Sequence, residues 1–193
     1  EMQRSLVGSE MCIRDSFKTR AADGNLYIEG YFATFTGEYR MWDKAIERID
    51  RGAFDGTLGD DIRALVNHDT TIVLGRTTAG TLTLRVDDLG LWGSILINQA
   101  DQDAMNAYER VKRGDVSQCS FGFDILDEET EIRPDGTTVW TIRKVKLYEV
   151  SVVTFPAYED TMVEARKKDL EKINERKLDQ WRAEALKKLR KEC

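Results

Sequence analysis

Short apolar runs separated by Gly, Asp and Asn occupy most of the chain, and their spacing predicts strands. Residues 26–35, Leu-Tyr-Ile-Glu-Gly-Tyr-Phe-Ala-Thr-Phe, are aromatic and aliphatic, as a half-buried strand requires. Residues 62–66, 72–77, 81–86 and 91–97 predict four more in meander order, with turns at 79–80 and 88–90. The period changes over residues 100–113, where Ala104, Ala107, Tyr108 and Val111 fall on one helical face and Gly114 is placed to end the helix. Strand character returns over 116–126 and 138–155, around an Arg-Pro-Asp-Gly turn at 133–136.

From Tyr158 onward Glu, Lys, Arg, Leu and Ala replace Gly and Pro, which predicts one long C-terminal helix. Its acids come early (Glu159, Asp160, Glu164) and its bases late (Lys187, Lys188, Arg190, Lys191), as the helix dipole favours. Leu170, Ile173, Leu178, Trp181, Ala185 and Leu189 give it an imperfect apolar stripe, the mark of packing on the domain or on another chain. The expected fold is therefore mainly β with helices (α+β). It comprises a β domain over residues 17–157 with one internal helix, and a charged helix over 158–193. Residues 1–16 lack apolar periodicity and read as a non-native or disordered segment outside the fold.

Composition narrows the function. A length of 193 residues suits one domain with a substantial core. The net charge of -6 disfavours a nucleic-acid binder, which needs a basic face to displace counterions. The longest apolar stretch, 89–97, is broken by Gly90, Gly93 and Ser94, so no membrane span is expected. With Cys12 set aside, Cys119 and Cys193 do not suggest a disulfide framework, and a reducing, cytoplasmic setting is expected. One histidine and two cysteines cannot build a His/Cys zinc site, although an all-carboxylate site stays open. No phosphate-cradling glycine loop is present, and no cofactor is expected.

His68, in Val-Asn-His-Asp, is the single histidine and so the one candidate base that titrates near neutral pH. Serine attacks poorly unless such a base takes its proton, and the base works better when a carboxylate fixes its tautomer. Ser120, in Cys-Ser-Phe-Gly-Phe, and Glu149, in Leu-Tyr-Glu-Val-Ser, supply those parts. Strand alternation puts Ser120 with Gly122 and Asp124, and Cys119 with Phe121 and Phe123, so only one of Cys119 and Ser120 faces His68. The same alternation puts Glu149 with Leu147 and Ser151, in an apolar strand where an unpaired charge would be costly. Each residue has a plainer reading: a lone histidine at a strand end is commonly a hydrogen-bonded structural residue, and a strand glutamate commonly faces solvent.

The ordered phrases carry more than any single residue. Glu-Gly-Tyr at 29–31 with Phe35, Gly-Ala-Phe at 52–54, Asn-His-Asp at 67–69 and Gly-Arg at 75–76 come first. Ala-Tyr-Glu-Arg-Val-Lys-Arg-Gly-Asp-Val-Ser at 107–117, Ser-Phe-Gly-Phe at 120–123 and Glu-Val-Ser-Val-Val-Thr-Phe-Pro-Ala at 149–157 follow. Together, over residues 26–161, they resemble the prohead (capsid-maturation) serine proteases of tailed bacteriophages.

The resemblance implies His68 as base, Ser120 as nucleophile and Glu149 as the acid. It implies an endopeptidase that cuts the scaffolding segment of the major capsid protein, and often itself, inside the assembling procapsid in the host bacterial cytoplasm. The family is similar in fold to the herpesvirus assembly protease, which implies a closed β-barrel of about six to eight strands and, by analogy, a homo-oligomer such as a dimer. That enzyme's third triad member is a histidine, which this chain cannot supply. Other readings of the same residues are a cysteine protease using Cys119 and a non-catalytic capsid-interaction module.

Overall fold

The computed structural model describes residues 4–5, 17–155 and 159–189. In chain order these form β1 (Arg4–Ser5), β2 (Lys18–Ala22), β3 (Asn25–Thr34), β4 (Tyr39–Trp42), β5 (Ala45–Ile49), β6 (Arg63–Val66), β7 (Asp69–Arg76), β8 (Leu82–Val86), β9 (Gly90–Ile97), α1 (Gln102–Arg113), β10 (Gln118–Ile132), β11 (Thr138–Val153) and α2 (Glu159–Leu189). The chain divides into two compact units, Glu1–Ala157 and Tyr158–Cys193. Apart from Arg4–Ser5, the N-terminal segment read as lying outside the fold falls beyond the described residues. In α2, Leu178 and Trp181 of the apolar stripe are exposed.

The first unit holds two sheets. One is four-stranded in the order β2-β3-β9-β8, antiparallel throughout. Gly30 faces Gly93 across its central pair, and the missing side chains admit Phe17 over Gly30 and Phe32 over Gly93, where an added Cβ would meet ring atoms at 2.7 and 2.6 Å. The other sheet is seven-stranded. It runs β1-β10-β11-β5-β4, with β6 also paired to β11 and β7 to β6.

The closed barrel is not formed. One edge of β11 is taken by β10, and the other by two parallel strands in turn, β5 along Thr138–Ile142 and β6 along Glu149–Val152. Each carries a further antiparallel partner, β4 or β7, so the sheet branches where a barrel would curl. No ladder joins the two sheets among the described residues. Nor is residues 62–97 a single meander, because β6 and β7 pair in the larger sheet and β8 and β9 in the smaller.

Aromatic rings fill much of the core. Phe54, Phe121 and Phe123 are fully or almost fully buried, with ring centroids 5.8 Å apart for Phe54–Phe121 and 4.9 Å for Phe121–Phe123. Burial of each such ring stabilises the fold by roughly 1.5–3 kcal/mol. Helix α1 buries the four residues its period predicts, Ala104, Ala107, Tyr108 and Val111. The Asp101 carboxylate caps its first turn by accepting from the Asp103 and Ala104 amides, and Gly114 ends it with φ of 83°. Strand β5 escapes a sequence reading because Glu47 and Arg48 interrupt its apolar pattern. In the fold Glu47 is buried and Arg48 donates to Thr141 Oγ1 at 2.8 Å.

An acidic clasp closes the base of the β6–β7 hairpin, where Arg63 pairs with Arg76. Arg76 donates to both Asp61 oxygens at 2.6 Å, and Arg63 and Thr78 donate at 3.1 and 3.0 Å. The Arg76 hydrogen bonds, followed by that of Thr78 and the nearby guanidinium charges, hold the Asp61 carboxyl well below the usual carboxylate range. A carboxyl depressed in the folded state stabilises the fold fully above its unfolded value, near 3.9, and loses that contribution as pH falls toward the folded value. Asp61→Asn should therefore lower the urea midpoint at pH 7, and the gap from the parent should shrink steadily below about pH 4. A gap that stays constant from pH 7 to pH 2 would contradict this.

Candidate active site

The site is built on the β10–β11 ladder. Ser120 pairs with Ser151 and Gly122 with Glu149. A register shift between Gly122 and Phe123 then inserts Tyr148, so that Phe123 pairs with Leu147. Leu147 thus joins the Phe123 face and Glu149 the Gly122 face. This corrects the simple alternation that groups Glu149 with Leu147. On β10, Phe121 and Phe123 stack into the core while Ser120 and Gly122 occupy the opposite face. Directly opposed side chains on one face of such a pair lie about 4.5–5.5 Å apart at Cβ, which puts Ser120 beside Ser151.

His68 reaches this face from a different strand. Strand β6 runs parallel to β11, with Leu65 beside Ser151 and Val66 beside Val152. Val66 pairs with Asp69, leaving Asn67 and His68 as a two-residue turn. Their φ angles of 51° and 61° are those of the mirror-image turn that matches strand twist, and asparagine and histidine tolerate that region better than most residues. Asn67 pins the turn to β11. Its amide donates to Val152 O at 3.0 Å, and its side-chain oxygen accepts from the Thr154 amide at 2.8 Å.

The turn delivers the imidazole to the carboxylate. His68 Nδ1 lies 2.7 Å from Glu149 Oε1, and Ser151 Oγ donates to Glu149 Oε2 at 2.6 Å. The His68 amide in turn donates to Ser151 Oγ at 3.2 Å. Glu149 is 8% exposed, Ser120 and Ser151 are 0% exposed, and the His68 side chain is 31% exposed. The expected partner of the buried glutamate is thus His68. Space for the carboxylate comes from Gly122, where an added Cβ would sit 2.5 Å from Glu149 Oε1.

Three residues that the sequence reading did not assign complete the arrangement: Asn67, Gly122 as the space under the carboxylate, and Ser151. A small polar residue two places beyond Glu149 in an otherwise apolar strand was the available signal for Ser151. Cys119 pairs with Val152 on the strand face opposite Ser120. Among the described residues no group of three or more His, Cys, Asp and Glu side chains could hold a metal ion. No helix there is long and apolar enough to cross a membrane.

A sequence profile of the caudovirus prohead serine proteases matches residues 15–176, well over half of the chain. The chain belongs to the caudovirus prohead serine protease family. It is also similar to the prohead protease of Escherichia phage T5, with 30% identity over 97 residues. That match covers 50% of this chain and 42% of the T5 protein, so the chain matches less than half the length of this relative. No solved structure matches.

For a prohead serine protease family member, the matched span contains the whole hydrogen-bonded cluster, from Asn67 and His68 through Gly122 to Glu149 and Ser151. Gly122→Ala should force the carboxylate off the imidazole, costing about 1–3 kcal/mol in urea denaturation through overpacking and a lost buried hydrogen bond. An unchanged midpoint would mean that the strand pair absorbs the methyl group without moving Glu149.

Proposed function

We propose that the chain is a serine endopeptidase that processes the capsid protein or its scaffolding segment, and itself, during prohead maturation. The supporting observation is the 2.7 Å contact between His68 Nδ1 and Glu149 Oε1, on the strand face that also carries Ser120. In this reading Glu149 orients the imidazole through Nδ1, and Nε2 takes the Ser120 proton as Oγ attacks the peptide carbonyl. The imidazolium gives that proton to the leaving amine, and water then releases the acyl-enzyme by the same steps in reverse.

Family membership supports the reaction class, and the family's name supports the prohead as its setting in the infected host cell. The T5 relative is named a prohead protease. The cysteine alternative is disfavoured by the ladder, because Cys119 lies on the opposite face from Ser120. The fully buried Ser120 means that a substrate carbonyl reaches it only after covering groups move. The outer edge of β10 beside it pairs with extended backbone in the form of β1, the form in which a peptide substrate adds to a sheet.

Ser120→Ala, co-expressed with a prohead capsid protein that the parent chain shortens, should leave that protein full-length, a loss of roughly a million-fold if the three residues act as a unit. Complete processing by that variant would refute the assignment. A fluorophosphonate should label Ser120, and thiol alkylation should leave activity intact; inactivation by alkylation would return the nucleophile to Cys119.

A further inference from the structure

We propose that Ser151 is a positioning residue that locks the Glu149 carboxylate and, through it, holds His68 in the Nδ1–H tautomer. Its role in catalysis rests on the proteolytic reading above; the tautomer itself does not.

A carboxylate only accepts hydrogen bonds, so its two oxygens need two donors when buried. Oε1 has the imidazole and Oε2 has the Ser151 hydroxyl. Without the hydroxyl, Oε2 loses the donor that fixes the rotation of the carboxylate about its last bond. Oε1 would then lose its defined position against Nδ1.

The same hydroxyl oxygen accepts the His68 amide, so Ser151 ties the histidine's backbone and its carboxylate to one point. That point is fixed in turn. Ser151 is fully buried, pairs with Ser120 on one side and with Leu65 of β6 on the other, and lies three residues before Thr154, whose amide donates to Asn67. With Nδ1 carrying the proton, Nε2 is left as the ring's acceptor, which is the form a general base needs.

The composition makes this measurable. His68 is the only histidine, so a histidine-labelled chain carrying a histidine-free tag gives the nitrogen NMR spectrum of one imidazole. With the ring neutral, the parent should show a protonated Nδ1 and an unprotonated Nε2. Ser151→Ala should move the population toward the Nε2–H form that an unconstrained histidine side chain prefers in water. In a Glu149→Ala background, Ser151→Ala should cause no additional shift, because the hydroxyl acts through the carboxylate.

An unchanged tautomer in Ser151→Ala overturns the proposal. So does a Ser151→Ala shift that persists without Glu149. Should the alanine variant not fold, Ser151→Cys keeps the volume with a far weaker donor and reads the same quantity. If the chain cleaves, Ser151→Ala should lower kcat with KM little changed, by no more than the roughly ten-thousandfold that a wrong tautomer costs a serine protease. If the chain cleaves nothing, the tautomer result is unaffected, so failure of the enzymatic reading and failure of this one are separately visible.

Discussion

A carboxylate that is nine-tenths buried must be met by donors, because an uncompensated charge in that environment costs several kcal/mol. Glu149 imposes this demand on the centre of the larger sheet, and the surrounding residues answer it. Gly122 leaves the volume, Ser151 supplies one hydrogen bond, and His68 supplies the other. The Tyr148 insertion in β11 aims the carboxylate at Gly122 and not into the aromatic core beside Phe123. Take away any one of these and the charge is either crowded or short of a partner.

Strand β11 is the element on which this depends. It accepts β10 along one edge and two parallel strands along the other, and the site sits where β10, β11 and β6 run side by side. The parallel direction of β6 matters. It carries the chain along β11 to the level of Val152, so that the Asn67–His68 turn emerges at the end of the ladder and the ring folds back over Ser151 to Glu149. An antiparallel β6 would deliver its turn at the other end, away from the hydroxyl and the carboxylate.

The local elements were legible because each depends on a few neighbouring residues. Helix α1 follows from a 3.6-residue period bounded by Asp101 and Gly114, and Ser-Phe-Gly-Phe separates an aromatic face from a small polar one by alternation alone. His68 stood out by being the only histidine, and Glu149 by lying in an apolar strand. What was not legible is pairing. Neither the parallel docking of β5 and β6 on β11 nor the one-residue shift at Tyr148 leaves a periodic trace: the docking is set by contacts more than eighty residues apart in sequence, and the shift by how β11 lies against β10. The closed barrel was inferred from a relative's architecture, and the branching at β11 replaces it. Ser151 was hidden for a related reason: its role exists only once the fold brings His68 and Glu149 to it.

Two serines face one another across the β10–β11 ladder, and their surroundings divide the work between them. Ser151 is committed, since its proton goes to Glu149 Oε2 and its oxygen receives the His68 amide. A hydroxyl hydrogen-bonded to a carboxylate that itself meets the imidazole has its proton engaged, and surrendering that proton to attack a substrate would undo the arrangement that holds the carboxylate. Ser120 shares the face, and the proposed reaction gives it the nucleophile's role. In the proposed reaction one histidine then suffices. The task that a second imidazole would perform in holding the first is there divided between the Glu149 carboxylate, which meets the ring at Nδ1, and the Ser151 hydroxyl, which meets the carboxylate.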